Sequence, residues 1–128
     1  MKVIIAGSRV LNKAEYLDKA MIAAFNKWMS EDQEHWQKYY RPEIVSGGAN
    51  GVDFLGEQMA KRCMLQCTVF PADWDKYGKS AGYKRNIQMA EYADALIAVW
   101  DGKSKGTKHM IDIMEKMGKP TYIYVQQS

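Results

Sequence analysis

Two cysteines and two histidines in 128 residues leave little material for disulfides or metals. His35 and His109 lie far apart in sequence, so no metal site is expected. Cys63 and Cys67 stand four apart across a helix-to-strand joint, and they read as reduced, half-buried thiols rather than a disulfide or metal pair. That usage points to the cytoplasm. No apolar run approaches the length of a membrane span, and "MKVIIAGSR" is too short in its apolar part for a signal peptide, so no membrane association is expected. Internal repeats and low-complexity tracts are also missing. Charge of one sign is scarce: the net value is +3, with Lys and Arg scattered among acids. Such a balance suits a small anion better than a long phosphate backbone, so nucleic acid is an unlikely partner.

What is present is alternation. The β-branched run "KVIIAG" predicts a buried strand. Leu17, Met21, Phe25 and Trp28 then recur at helical spacing, predicting a helix from Ala14 to about Ser30. "EIVSGG" predicts a second strand, Val52, Leu55, Met59 and Cys63 a second helix, and "QCTVFP" a third strand stopped by Pro71. Tyr83, Ile87 and Ala90 mark a third helix, "DALIAVW" a fourth strand, and Met110, Ile113, Met114 and Met117 a fourth helix. Gly118 and Pro120 close that helix before the fifth strand, "PTYIYV". The polar and aromatic stretch from Ser30 to Glu43 either extends the first helix, forms a flap, or makes a surface excursion packed on the helix below.

Continuous apolar strands alternating with helices imply a parallel sheet covered on both faces. The expected fold is a single α/β domain over residues 1–128, a three-layer Rossmann-like doubly wound sheet of five strands in the order 3-2-1-4-5. Ligands of such sheets sit outside the carboxyl ends of the strands. There the chain places Gly7-Ser8-Arg9, then Ser46-Gly47-Gly48-Ala49-Asn50-Gly51, then "FPADWDKYGKSAG", then "WDGKSKGT". The second and fourth loops run into helices, where glycines let N–H groups face an anion at the positive helix end. Ser46, Ser104 and Thr107 offer hydroxyls, and Arg9 a planar fork of donors. No GxGxxG follows the first strand and no P-loop ending is present, and "GGxxG" alone is also what a plain turn uses.

Single residues carry two readings each. Asp53 is an anchor at a helix start or a ribose ligand; Glu57, one turn on, is solvated or faces the crevice. Trp74, beside Asp73, is packing or a base-stacking platform. Asp101, before Gly102, holds sugar hydroxyls or makes an Asp-Gly turn. His109 is expected to be solvated. No serine sits in a nucleophile elbow.

The segments "GSR", "SGGANGVD", "FPADW", "AGYKRN", "MAEYADALIAVWDG" and "SKGTKHMI" together resemble the SLOG superfamily, in particular its YspA branch (YpsA-related), small Rossmann-like domains common in bacteria and phages. The resemblance spans nearly the whole chain in motif order. It implies a nucleotide or nucleotide-derived ligand, bound or sensed at the carboxyl edge of the sheet, and a homodimer. Arg9, the Gly47 to Gly51 backbone and the Ser104, Gly106 and Thr107 helix start would hold phosphate; Arg85, with Asn86, would take a second phosphate; Trp74 would cover the base. Mg²⁺ would arrive with the ligand. The enzymatic LOG branch is similar in an Arg of an "RK" pair, here Arg85-Asn86, and in "PGGxGTxxE", here "WDGKSKGTKHM". Its glutamate position holds Met110, which can serve neither as a base nor as a cation stabiliser. The expectation is therefore binding without strong catalysis. The alternative is LOG-like phosphoribohydrolase activity carried by Arg85 and Glu57, with Asp112 turned off the site; single-stranded DNA binding, as in the related DprA proteins, ranks last.

Overall fold

The structure is a computed structural model that describes residues 1–37 and 41–127. Strand β1 (Lys2–Gly7) leads into α1 (Ala14–Glu31) and a short α2 (Gln33–Gln37). Then follow β2 (Glu43–Ser46), α3 (Val52–Arg62), β3 (Cys67–Val69) and α4 (Trp74–Tyr77), which passes through a 3₁₀ turn at Gly78–Ser80 into α5 (Ala81–Tyr92). Strand β4 (Ala95–Trp100), α6 (Lys105–Lys116) and β5 (Thr121–Val125) complete the alternation. The five strands form one sheet in the order β3-β2-β1-β4-β5, every pair parallel. This is the doubly wound α/β arrangement expected from the sequence.

Both faces of the central strands are covered, which explains their unbroken apolar runs. Val3 and Ile5 of β1 and Ile97 and Val99 of β4 join Leu17, Ala20, Ala24 and Trp28 of α1 and Val52, Leu55 and Met59 of α3 in one core. Ile4 and Ala6, with Leu96 and Ala98, meet Met89 and Ala90 of α5 and Met110, Ile111 and Met114 of α6 on the other side. The last turn of α6 is closed by Gly118 at φ +71°, with the Lys119 N–H reaching back to the Met114 carbonyl.

Periodicity set most helix faces and erred on some. On α1 the fully buried stripe is Leu17, Ala20, Ala24 and Trp28, with Met21 and Phe25 only part-buried, because small alanines let the helix lie close on the sheet. On α5, Tyr83 and Ile87 are exposed; Ala81, Asn86, Met89 and Ala90 face inward instead. Two apolar stripes share that helix, and spacing alone cannot choose between them. Met117 of the fourth-helix set is likewise exposed. The thiols expected to be half-buried are free and exposed: Cys63 follows the end of α3, and Cys67 lies on the edge strand β3. Of the stretch from Ser30 to Glu43, the last turn of α1 and the helix α2 are described, and residues 38–40 lie outside the described residues. Among the described residues no helix is long and apolar enough to cross a membrane.

Candidate functional site

Strand order reverses between β1 and β4, whose connections leave in opposite directions. At their carboxyl ends opens a cleft of about 360 Å³, lined by the β1 loop from Ala6 to Val10, by Gly47, Ala49 and Asp53, by Arg85, Asn86 and Met89 of α5, and by Asp101, Ser104, Gly106, Thr107 and Met110. This is the switch-point crevice where doubly wound sheets take their ligands. A second hollow of about 470 Å³ adjoins it over β2 and β3, lined by Arg9, residues 47–50, Glu57, Val69, Pro71, Ala72, Trp74 and Arg85.

The glycine-rich loop is held from within. The Ser46 hydroxyl donates to Glu57 Oε2 at 2.6 Å and accepts the Gly48 N–H at 3.1 Å. Asp53 Oδ2 accepts the Ala49 N–H at 3.3 Å. Asp53 is thus an anchor, but for the loop preceding its helix rather than for the helix's own first N–H groups. Gly51 sits at φ +76°, and a Cβ there would lie 2.5 Å from the Arg9 carbonyl oxygen, so glycine is what lets the first two loops touch. At Gly47 a Cβ would lie 2.8 Å from Arg85 Nη1 and 2.9 Å from Asp53 Oδ2. That missing side chain lets the guanidinium fold in over the backbone.

Arg85 uses that space. Its Nη1 donates to the Gly47 carbonyl, with the Phe70 carbonyl at 3.5 Å, and its Nε donates to Asn86 Oδ1 at 3.1 Å. Burial and the neighbouring Arg9 charge lower its pKa, opposed by Asp53. Asp53 is 6% exposed, and burial raises its pKa from 3.8 to about 6 against the pull of the Ala49 N–H and Arg85, with the Glu57 charge adding to the rise. Arg9 is exposed and lines both hollows.

The fourth loop is built on Asp101. Its Oδ1 accepts the N–H groups of Lys103 at 2.8 Å and Ser104 at 2.9 Å, and these, with the Ser8 hydroxyl, lower its pKa. Its own N–H donates to Ser8 Oγ at 3.0 Å, joining the β1 and β4 loops. Ser104 caps α6: its Oγ accepts the Thr107 N–H at 3.4 Å and lies 3.1 Å from Thr107 Oγ1. The turn reading of Asp101 and Gly102 therefore describes the local geometry, with Gly102 at φ +82°.

Most of the expected residues converge here. Gly7, Ser8, Arg9, Gly47, Ala49, Asp53, Arg85, Asn86, Asp101, Ser104, Gly106 and Thr107 line the cleft; Gly48, Asn50, Glu57 and Trp74 line the second hollow. Ser46, Gly51, Asp73 and Gly102 do not line either. Ser46 organises the loop, and Asp73 caps α4 by accepting the Lys76 N–H at 3.1 Å. Trp74 is 53% exposed, so it is not a core residue. Glu57 faces the crevice rather than bulk solvent. Asp112 pairs with Lys108 on the exposed side of α6.

His109 is not solvated as expected. Its Nδ1 lies 3.1 Å from Asn86 Nδ2, its ring meets Tyr83 edge-on at 4.5 Å, and burial lowers its pKa. The Asn86 amide also donates to the Gly106 carbonyl at 3.2 Å, tying α5 to the start of α6. Met89 and Val10, also in the lining, gave no chemical signal in the sequence because neither carries a polar group.

Fold and site together define a doubly wound parallel α/β protein with an arginine-bearing cleft at its switch point. The chain is similar to the Gene 61 protein of Mycobacterium phage D29, with 33% identity over 125 residues, covering 93% of this chain and 92% of that protein. It belongs to the family of that phage protein. No family model and no solved structure matches it.

Proposed function

We propose that this chain is a SLOG-type protein that binds or senses a nucleotide or nucleotide-derived ligand in the switch-point cleft, without N-glycosidic cleavage of the LOG kind. One observation carries the reading: Arg9, Arg85 and the capped start of α6 converge on one cleft whose wall at the relevant position of α6 is the methionine Met110. Guanidinium forks and helix-start N–H groups are the donors phosphate needs. Met110 is 1% exposed, a core side chain at the position that matches the LOG glutamate, and it carries no ionisable group. Among the described residues no three His, Cys, Asp or Glu side chains come together to hold a metal, so Mg²⁺ enters this reading only on the ligand's own phosphates.

The test is mass spectrometry of small molecules released when the purified protein is denatured, joined to thermal shifts across a nucleotide panel. A phosphorylated nucleoside compound is expected from the wild type and not from Arg9→Ala. A ligand at a hundred times its Kd should add about 2.7 kcal/mol of stability. No released compound and no shift from any nucleotide would refute the proposal.

Two carboxylates, Asp53 in the cleft and Glu57 in the adjoining hollow, favour one second reading, cleavage of a nucleotide's N-glycosidic bond. Asp53, with its pKa raised to about 6, has the range of a general acid or base. That reading requires free base to appear on incubation with nucleoside monophosphates, and its loss in Arg85→Ala, Glu57→Gln and Asp53→Asn. Unchanged nucleotides after prolonged incubation exclude it.

A further inference from the structure

We infer that Asn86 is a positioning residue that holds Arg85 at the cleft, and that protonation of His109 releases it, so that ligand binding is proton-dependent. This rests on the proposed phosphate role of the cleft. Asn86 is 7% exposed and lines the cleft. Two neighbours of fixed character decide which way its amide points. The Arg85 Nε–H can only donate, so the atom 3.1 Å from it is Oδ1. The Gly106 carbonyl can only accept, so the atom 3.2 Å from it is Nδ2. One amide hydrogen is therefore spent on Gly106, and the other is left for His109 Nδ1, 3.1 Å from the same nitrogen. That ring nitrogen must carry its lone pair, and the proton of the neutral imidazole sits on Nε2.

An imidazolium is incompatible with this arrangement. A proton on Nδ1 would face the Asn86 NH₂ group, and Asn86 could accept it only by turning its oxygen round. The turned amide would set its NH₂ group against the Arg85 Nε–H and its oxygen against the Gly106 carbonyl. A protonated His109 and Arg85 thus compete for one oxygen. In the turned state Arg85 keeps only the carbonyls of Gly47 and Phe70, and the tie from α5 to the start of α6 is lost. Both Arg85 and Gly106 line the cleft, so the change reaches its walls. From α5, Tyr83 meets the His109 ring edge-on and Arg85 lies beyond Asn86. On α6, Lys105 lies a turn before His109 and Asp112 a turn after, the latter paired with Lys108. Lys79 and Arg9 border the hollow that Tyr83, Asn86 and Gly106 also line. Burial outweighs the Asp112 carboxylate and holds the His109 pKa below its ordinary 6.5, so the ring is neutral at pH 7 and release falls in acid solution.

The test joins NMR to calorimetry. Nitrogen spectra of the His109 ring in the ligand-free wild type should show a bare Nδ1 at pH 7, and the Arg85 Nε–H signal should move as His109 titrates. A proton on Nδ1 at pH 7, or an Arg85 signal that ignores the titration, would overturn the proposal. Calorimetric titration with ADP at pH 7.5 and pH 5 then compares the wild type with His109→Asn, whose amide oxygen offers Asn86 an acceptor that does not titrate. Asp53 and ADP itself titrate in both proteins, so the difference isolates His109. On acidification the wild type is expected to lose about fivefold more affinity than the variant, whose folding its melting curve checks. Equal losses with Arg9-dependent binding would mean that the switch is wrong and the phosphate cleft stands. A wild type that binds ADP at neither pH overturns both.

Discussion

Asp53→Asn removes a carboxylate that burial holds at a pKa of about 6, against 3.8 for an ordinary aspartate. Because the folded-state value is the higher one, the folded chain binds this proton more tightly than the unfolded chain. The group therefore favours the fold at low pH, and that contribution is lost as pH rises through about 6. The whole span of the shift corresponds to about 3 kcal/mol, of which about 1.4 kcal/mol falls between pH 5 and pH 8. Asparagine keeps the shape and an oxygen for the Ala49 N–H, but it does not titrate. Urea unfolding of both proteins at pH 5, 6, 7 and 8 measures the effect directly. The stability of Asp53→Asn relative to wild type should grow by about 1.4 kcal/mol from pH 5 to pH 8. For a chain of 128 residues that is about 5 °C in Tm. Parallel pH profiles would show that water reaches the carboxylate. A difference of opposite sign would show that Arg85 outweighs burial and that the charged pair is the stable form.

Two further substitutions separate binding from stability. Gly47→Ala would push a methyl group into the ends of two flexible side chains, Arg85 and Asp53, rather than into backbone. Because Asp53 and Arg85 hold the loop through the Ala49 N–H and the Gly47 carbonyl, displacing them should cost about 1 kcal/mol of stability, and ADP affinity should fall by about tenfold or more through the displaced guanidinium; equal affinity would mean that Arg85 does not touch the ligand. Lys119→Met removes a cation whose Nζ donates to the Ala90 carbonyl at 2.6 Å and the Ala93 carbonyl at 2.8 Å, closing the end of α5 far from the cleft. It should cost about 2 kcal/mol in urea unfolding and leave ADP affinity unchanged; a loss below about 0.5 kcal/mol would mean water replaces the ammonium freely.

The strands were legible because a parallel sheet covered on both faces demands uninterrupted β-branched runs such as Val3-Ile4-Ile5. Their order followed from the handedness of crossovers. The helix α4 was read as loop because Trp74–Tyr77 is a single polar turn with no period to detect, its capping aspartate being the only local cue. On α5, apolar residues at 83 and 87 imitate a core face, and only contact with the sheet shows that 86 and 89 face inward. The site was legible as a set of loops at strand ends, since glycines, hydroxyls and an arginine recur there. Most individual roles were not. The Asp101 turn, with partners two and three residues on, was open to local reading, but that the Ser46 hydroxyl bonds Glu57 on α3 and that His109 is tied to Asn86 depends on partners 11 and 23 residues away in sequence, distances at which no local pattern operates.

The central claim, that Arg9 and its neighbours form a phosphate site for a nucleotide, meets its most direct test in calorimetric titration of wild type and Arg9→Ala with ADP. Arg9 is exposed, so its removal leaves the core intact. The account predicts saturable binding to the wild type and at least tenfold weaker binding to the variant. Equal affinities, or no saturable binding to the wild type, would contradict it.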